Sequence, residues 1–500
     1  MENIILPLNK NFSNLLSDES KMIGKADFVT FPKSSNQIIE IIHFAQKNNQ
    51  KIRIQGSLTG ITAGAVPDGE IILNLSKMKN TGSIILLEKF IEKKTAYIES
   101  ESGTTLAELK EKLKNTPYFL PLDPTETSAS VGGIVSCNAS GALTYKYGSA
   151  RNWIKSILIA LSSGDLLKLE RGKNFASDRK LYLETLSGKK IEINLPCIKE
   201  VSVKSSAGYS IHENMDIIDL FIGMEGTLGV IIKTEFYLMQ KPKICGITIF
   251  FKDSENPIDF VINLKKNHKM PIAAIEFFDE NSLTLFRTMK DNRNIFPSIP
   301  TPSPDFKSAV YVELHFNNNE DIEMDDFLAF LEDFQINLDN TWCAFEQKEL
   351  DLAKSFRHAF PELVNMKIAE MKRKNPEITK LGTDMSVPDQ YLKDIFDLYK
   401  SDLEKSNLDY IIFGHIGNNH LHVNIIPKNQ NDYIKGKEIY KKWAKFVVQI
   451  GGSVSAEHGI GKLKRDFLKI MFSANEIESM KELKKTFDKL ETFNKGNIFY

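Results

Sequence analysis

Cysteine is scarce: Cys137, Cys197, Cys245 and Cys343 are the only four in 500 residues, and no two stand in a CxxC pair. That excludes a zinc ribbon or an iron-sulfur cluster built from this chain alone, and reduced thiols suit a cytoplasmic setting. Net charge is nearly absent as well, 64 Lys plus Arg against 65 Asp plus Glu leaving -1. Without a charge excess there is no general attraction to nucleic acid or to an anionic membrane, and neither is an expected partner. Long apolar runs are missing too. The longest, IIDLFIGMEGTLGVIIK, is broken by Asp219 and Glu225 and falls short of the roughly 18 uncharged residues of a spanning helix. The N-terminus, MENIILPLNKNFSNLLSDESK, lacks the basic start and apolar core of a secretory signal and reads as an arm or leader helix over residues 1–24. There is no internal repeat, no Walker GxxxxGK[ST] and no GxGxxG.

What the chain does have is ordinary globular material, 42% hydrophobic and 26% charged, enough for two or three domains. The first half alternates short strands, helices and glycine turns. In ADFVTFPKSSNQIIEIIHFAQKNNQKIRIQG the spacing predicts a helix with Ile38, Ile41, Ile42 and Ala45 on one face, between a short strand and the strand KIRIQ. Further β runs follow in EIILNL, TAYIESESG and NWIKSILIALSSGD. Near residue 240 the character changes at YLMQKPK, read as a strand end and a basic linker. Beyond it strands (ICGITIFF, IAAIEFFD, SAVYVELHF) alternate with helices near 256–267, 281–290 and 320–334. That pattern predicts an α+β sheet domain with helices on one face. The acidic run NNNEDIEMDD is read as a solvated face or loop.

Three segments are rich in small residues. QGSLTGITAGAVPDG follows a strand, so its N–H groups can form an anion nest, although a tight turn explains it equally well. DPTETSASVGGIVSCNASGALTYKYGSARNW is far too long for an ordinary connector and adds Gly132, Gly133, Gly141 and Gly148. FIGMEGTLGVI adds Gly226 and Gly229 around Thr227. Together they imply a large phosphate-containing ligand on something other than a Rossmann fold.

Near the end, FGHIGNNHLHVNIIP crowds three of the chain's nine histidines into eight residues. YIIF and LHVNII read as strands of a hairpin. With Asn418 and Asn419 as a two-residue tip, His415 is opposite His422 and Gly417 opposite His420. Such opposed imidazoles can share a metal ion, or can be polar residues on an exposed hairpin. His420 and Asn424 share that face by the period of two. SAEHGIGKLKR supplies Glu457 as an anionic ligand and His458 as a base, with Gly459 and Gly461 permitting a turn that brings both into one pocket.

IRIQGSLTGITAGAVP, PLDPTETSASVGGIVSCNASGALTYKYGSARNWI, FIGMEGTLGVI, FGHIGNNHLHVNI, SAEHGIGKLKR and FNKGNIF stand in the order found in the FAD-linked 2-hydroxyacid dehydrogenases, and the chain resembles that family over about residues 25–500. The family includes D-lactate and D-2-hydroxyglutarate dehydrogenases and the flavin subunit of glycolate oxidase. The resemblance implies an α+β protein with a two-lobed PCMH-type FAD-binding domain at 25–240. A substrate or cap domain with an antiparallel sheet and the metal-binding hairpin spans 241–440, and a C-terminal helical segment at 441–500 completes the site. It implies that Gly56, Ser57, Thr59, Gly60, Pro124, Thr125, Ser130, Gly132, Gly133, Asn138, Gly141, Gly148, Gly226, Thr227, Gly229 and Asn494 bind the cofactor. His415, His422 and Glu457 match the family's ligands for a divalent metal, zinc or manganese, and His458 matches its base. Arg357 matches a substrate arginine, with Asn424 and Lys380 beside the substrate.

The departures are specific. Where the family carries Arg-Gly-Gly-Gly-Thr-Gly, this chain has Gln55, Gly56, Ser57, Leu58, Thr59 and Gly60, with no histidine for covalent attachment, so FAD is expected to be noncovalent. The family's Asp-Gly-Asn in the hairpin is Asn418, Asn419 and His420 here. The threonine and lysine that assist the arginine in hydroxyglutarate enzymes fall at Pro361 and Gly382, leaving Lys380 as a substitute. The expected reaction is oxidation of a D-2-hydroxy acid to the 2-oxo acid. Electrons pass to an external acceptor, whether a quinone, an electron-transfer flavoprotein or an iron-sulfur subunit, through which the chain could be peripheral to a membrane; a homodimer is open. The alternatives are a non-redox flavin transferase resembling alkylglycerone-phosphate synthase and a non-catalytic flavin-binding subunit.

Overall fold

The computed structural model describes residues 4–252, 256–267, 270–293, 295–316 and 320–500. The first unit is a small sheet in which the strand Phe28–Thr30 and the strand Ile52–Gln55 both run parallel to Ile71–Asn74, which lies between them. The helix Ser35–Lys47 makes the crossover and buries Ile38, Ile41, Ile42 and Ala45, the face its spacing predicts; the Ser34 side chain caps its first turn. The N-terminal arm does not form a leader helix. Ile5–Pro7 adds an antiparallel strand to Phe28–Thr30, and a 3-10 turn over Lys10–Leu16 follows.

The second unit is an antiparallel sheet in the order Thr81–Ile91, Lys94–Glu101, Val230–Gln240, Ile154–Ala160 and Leu166–Glu170. Its central strand comes last in sequence, so the long small-residue segment between residues 123 and 153 lies beneath the sheet as the short helix Val131–Ser136 and the turns after it.

YLMQKPK is not a linker of any length. Only Lys241 and Pro242 separate the strand Val230–Gln240 from Lys243–Phe251, the first strand of an eight-stranded antiparallel sheet. Helices cover both faces of this sheet rather than one. Phe250, Phe278, Tyr311 and Phe413 pack with Phe286, Phe356 and Phe360 on one side. Ile247, Ile275, Val312 and Val423 pack with Phe260, Leu264 and Tyr399 on the other. The reason is in the strands: Ile272–Phe278 is buried at every position, and a strand apolar at successive positions must be covered twice. Part of the acidic run lies outside the described residues; Asp325 and Asp326, on the helix Glu320–Asp333, are exposed.

The C-terminal stretch returns to the first unit. Ile52 N–H donates to Thr492 O at 2.7 Å and Asn494 N–H to Ile52 O at 3.0 Å. Glu225, buried in the first lobe, accepts the N–H groups of Ile460 and Gly461 at 2.7 and 2.6 Å. No described helix is long and apolar enough to cross a membrane.

Burial holds the Glu225 carboxyl up at about 7, against 4.5 ordinarily, its two backbone donors offsetting only part of that cost. Between these values the folded chain keeps a proton that the unfolded chain has released, so this group makes stability fall as pH rises through the window and level off above it. The guanidinium midpoint should follow that slope, on the order of 3 kcal/mol in total. In Glu225→Gln the slope should disappear.

Candidate functional site

The two lobes and the C-terminal stretch enclose a cavity of about 1790 Å³. A pocket for one small ligand is usually about 300–1,000 Å³, so this one has room for a dinucleotide-sized cofactor and a substrate together. Gly56, Ser57, Thr59, Gly60, Pro124, Thr125, Ser130, Gly132, Gly133, Gly226, Gly229 and Asn494 all line it. A Cβ added at Gly60 would meet no protein atom within 4 Å, so the space beside that glycine belongs to the cavity. Leu58 stands where the family run has glycine and takes the left-handed conformation at φ 63°, which costs about 1 kcal/mol. Its carbonyl is held by the Glu19 N–H at 3.1 Å.

Four of the expected cofactor residues do not reach the wall. Asn138 turns the chain at φ 48° and accepts the Arg151 N–H at 3.1 Å. A Cβ at Gly141 would fall 1.9 Å from the Asp123 carbonyl oxygen, so that glycine permits a backbone crossing. Gly148, at φ 75°, ends a short helix against Asn152. The Thr227 hydroxyl is buried on Tyr209 Oη at 2.6 Å. Asn494, in contrast, both lines the cavity and ties it together. Its Oδ1 accepts the Ile54 N–H at 2.7 Å and its Nδ2 donates to Glu225 O at 2.8 Å.

At the far end the imidazoles converge. The hairpin pairs His415 with His420, and His422 with Phe413, not His415 with His422. The register differs by two residues because Ile416–Asn418 forms a 3-10 turn and only Asn419 is left-handed, at φ 51°, whereas a two-residue tip requires two such residues. His415 still reaches His422, as a diagonal neighbour, with ring centroids 5.6 Å apart. Glu457 comes from the C-terminal segment: its Oε1 lies 3.2 Å from His415 Nε2, and its Oε2 3.9 Å from His422 Nε2. Gly459 permits the approach at φ 71°.

Outward-facing nitrogens are anchored. His415 Nδ1 meets Glu276 Oε1 at 2.7 Å, and His422 Nδ1 meets the Thr383 carbonyl at 3.1 Å. Each anchor turns Nε2 toward Glu457, the arrangement by which second partners orient histidines. Burial, reinforced by the neighbouring imidazoles, keeps His422 well below its ordinary range and therefore neutral. Burial opposes charge on His415 as well, but the Glu276 and Glu457 carboxylates outweigh it and lift the group to about 9. Three imidazoles, of His415, His420 and His422, and the Glu457 carboxylate offer ligand atoms within 4.8 Å of one another, a fitting donor set for a divalent ion.

Three residues that sequence reasoning did not single out hold this constellation. Glu276 is the first. Asp384, fully buried, is the second: it accepts the N–H groups of Glu457 and His458 at 3.1 Å each, the Ser455 hydroxyl at 2.7 Å and the Lys464 ammonium at 2.5 Å. His458 Nδ1 lies 3.2 Å from its Oδ2. Burial works against its charge, yet His458 and Lys464 hold its pKa well below the carboxylate range. Lys204 is the third, its ammonium on Glu457 Oε1, where Ser140 also donates at 3.1 Å. Asp384 had a local signal, an aspartate in a strand-like TDMSVP, but its partners lie some seventy residues away.

Arg357 is buried at the cavity wall with its guanidinium over the Tyr311 ring, 4.9 Å from the centroid. Burial opposes its charge, but Tyr311, Glu313 and Asp123 outweigh it. Nη2 is 3.5 Å from Asp123 Oδ2, and Nε has no hydrogen-bond partner among the described residues. Lys380 lines the same wall with an exposed side chain whose ammonium donates to Asn365 Oδ1 at 3.4 Å, and Asn424 lines the wall as well. All three line the cavity that His458 also lines, so its wall carries two cationic groups that suit an anion.

These features define a site large enough for a cofactor, with a cluster of imidazoles and a carboxylate on its wall. The family model for FAD linked oxidases, C-terminal domain, matches residues 242–498, and that for the FAD binding domain matches residues 26–170. The chain belongs to the FAD linked oxidases and is an oxidoreductase. It is 26% identical over 480 residues to D-2-hydroxyglutarate dehydrogenase of Stutzerimonas stutzeri, covering 94% of this chain and 90% of that one. It is 24% identical to D-lactate dehydrogenase of Anaerostipes hadrus, covering 99% and 93%, and 22% identical to glycolate oxidase subunit GlcD of Bacillus subtilis, covering 95% and 89%. The fold matches a solved alkyldihydroxyacetonephosphate synthase with TM-score 0.61 at 14% identity, over 95% of this chain and 76% of that one.

Removing the buried carboxylate should be costly. In Asp384→Ala, Lys464 loses its partner in the interior, and stability should drop by about 3–5 kcal/mol. A urea titration of the flavin-loaded protein checks this. Ser455→Ala, which deletes one hydroxyl donor, should cost only about 1 kcal/mol.

Proposed function

We propose that this chain is an FAD-dependent, metal-assisted dehydrogenase of a D-2-hydroxy acid that passes its electrons to an external acceptor. The observation that carries the reading is the convergence on one cavity of His458, the unpaired Nε of Arg357 and the His415–His422–Glu457 donor set. Residues 25–240 serve as the FAD lobe, 241–440 as the cap with the metal hairpin, and 441–500 as the segment that closes both. FAD, when bound, supplies the acceptor for the α C–H electron pair, and a divalent ion on His415, His422 and Glu457 supplies the Lewis acid that acidifies the substrate hydroxyl.

The residues do the rest. Arg357 fixes the substrate carboxylate, since its fork suits two carboxylate oxygens. Lys380 and Asn424 set the other end of the substrate, and an ammonium there favours an anionic or polar group over an alkyl chain. His458 takes the hydroxyl proton at Nε2, because Asp384 holds a proton on Nδ1 and leaves the other nitrogen as acceptor. Loss of that proton and of the hydride turns the C–OH carbon into a carbonyl, oxidising the acid by two electrons. The first cofactor loop offers no histidine, and FAD is bound without a covalent link.

An anaerobic absorbance scan with a panel of D- and L-2-hydroxy acids tests this. A D-acid should bleach the flavin, and after acid precipitation the flavin should stay in the supernatant. His458→Ala should retain its flavin while kcat falls by about 10²–10⁴-fold. A flavin that no hydroxy acid bleaches would sink the reading and favour a transferase or a non-catalytic subunit.

A further inference from the structure

His420 stands where the resembling family has asparagine, and its surroundings are those of the two metal-donor histidines. It faces His415 directly across the hairpin and shares a face with His422, two residues on. The three ring centroids form a triangle with sides of 4.4, 5.6 and 5.6 Å. The side chain is completely buried, at 0% exposure. A polar ring enclosed this way must find partners for both nitrogens.

Its outward nitrogen, Nε2, lies 3.1 Å from Asp384 Oδ1, off the line of a straight hydrogen bond. The negative charge of that carboxylate favours the proton on Nε2, while hydrogen bonds to Glu276 and the Thr383 carbonyl favour it on Nδ1 of His415 and His422. The remaining nitrogen, Nδ1, points inward. It lies 3.9 Å from Glu457 Oε1, and the other polar group offered to it among the described residues is the Lys204 ammonium at 3.5 Å, the limit of a hydrogen bond. A satisfied core histidine would show a short donor here.

Resting on the metal reading above, we propose that His420 Nδ1 is a fourth protein ligand, so that the ion is held by His415, His420, His422 and Glu457. One nitrogen of each imidazole and one carboxylate oxygen already lie within 4.8 Å of one another. A tetrahedral ion with bonds of about 2.0–2.2 Å needs them roughly 3.3 Å apart, so a contraction of up to about 1.5 Å completes the shell. Lys204 fits the same arrangement. Its ammonium, on Glu457 Oε1 and 3.5 Å from His420 Nδ1, is the cation that holds the metal-free cluster together and that an ion would displace from that nitrogen.

The consequence distinguishes this site from a three-ligand one. Four protein ligands hold an ion more tightly, and a hydroxy acid must then bind by raising the coordination number rather than by filling a vacant corner.

The test uses the full-length flavoprotein, dialysed against chelator and titrated with Co²⁺, following its ligand-field bands to the red of the flavin. His420→Asn should keep its flavin and its unfolding midpoint, weaken Co²⁺ binding by about 10–100-fold and change the bands to those of a lower nitrogen count. Unchanged affinity, or weaker affinity with unchanged bands, overturns the proposal and leaves His420 a structural role. A variant that fails to fold does not decide the matter, because X-ray absorption at the zinc edge of the unaltered chain counts the imidazoles directly. Three support the fourth ligand and two overturn it. Unaltered protein that binds neither Co²⁺ nor Zn²⁺ overturns the metal reading itself. Binding abolished by His422→Ala but untouched by His420→Asn overturns the fourth ligand alone.

Discussion

The carboxylate of Asp384 is the point on which the site depends. Burying a lone charge is prohibitive, and here the cost is offset by a full set of donors: two backbone N–H groups, the Ser455 hydroxyl and the Lys464 ammonium. Those donors belong to the C-terminal segment, while Asp384 sits beside the strand Met385–Ser386, which pairs with the histidine strand. One side chain therefore fixes the hairpin relative to the segment that carries Glu457 and His458. His458 and the hairpin imidazoles keep their separation because they share this anchor.

The cavity is likewise a product of closure. No lobe holds it alone: the first two sheets form one wall, the large sheet and the helix Gln347–Lys374 form another, and the last residues of the chain lie along the edge of the first sheet. Glu225 and Asn494 join these parts through backbone groups, not through each other's charge. Such contacts need no specific partner side chain, which is consistent with a shared fold surviving at 14% identity to a solved synthase. Charge is graded across the same space. Glu457 and Glu276 stand with His415 and the Lys204 ammonium, while Arg357 and Lys380 line the wall of the same cavity.

The sequence alone determined the secondary structure with strong periodicity, such as the helix Ser35–Lys47 and the strands of the large sheet. It also determined the residue types that meet at the cavity, because glycine-rich turns, clustered imidazoles and an Arg-bearing helix are local patterns. What it could not determine was register and partnership. The hairpin tip depended on which asparagine turned left-handed, and packing of Gly417 against Tyr145 of the other lobe constrains that loop. The turns at Asn138 and Gly148, the backbone crossing at Gly141 and the buried hydroxyl pair of Thr227 and Tyr209 are likewise features that only three dimensions reveal. Helices on both faces of the large sheet were legible in its doubly apolar strands, but alternation with helices suggested a single covered face. The role of Asp384 was invisible for a simple reason: the free energy of a buried charge is set by its partners, and those partners are brought to it by the tertiary fold.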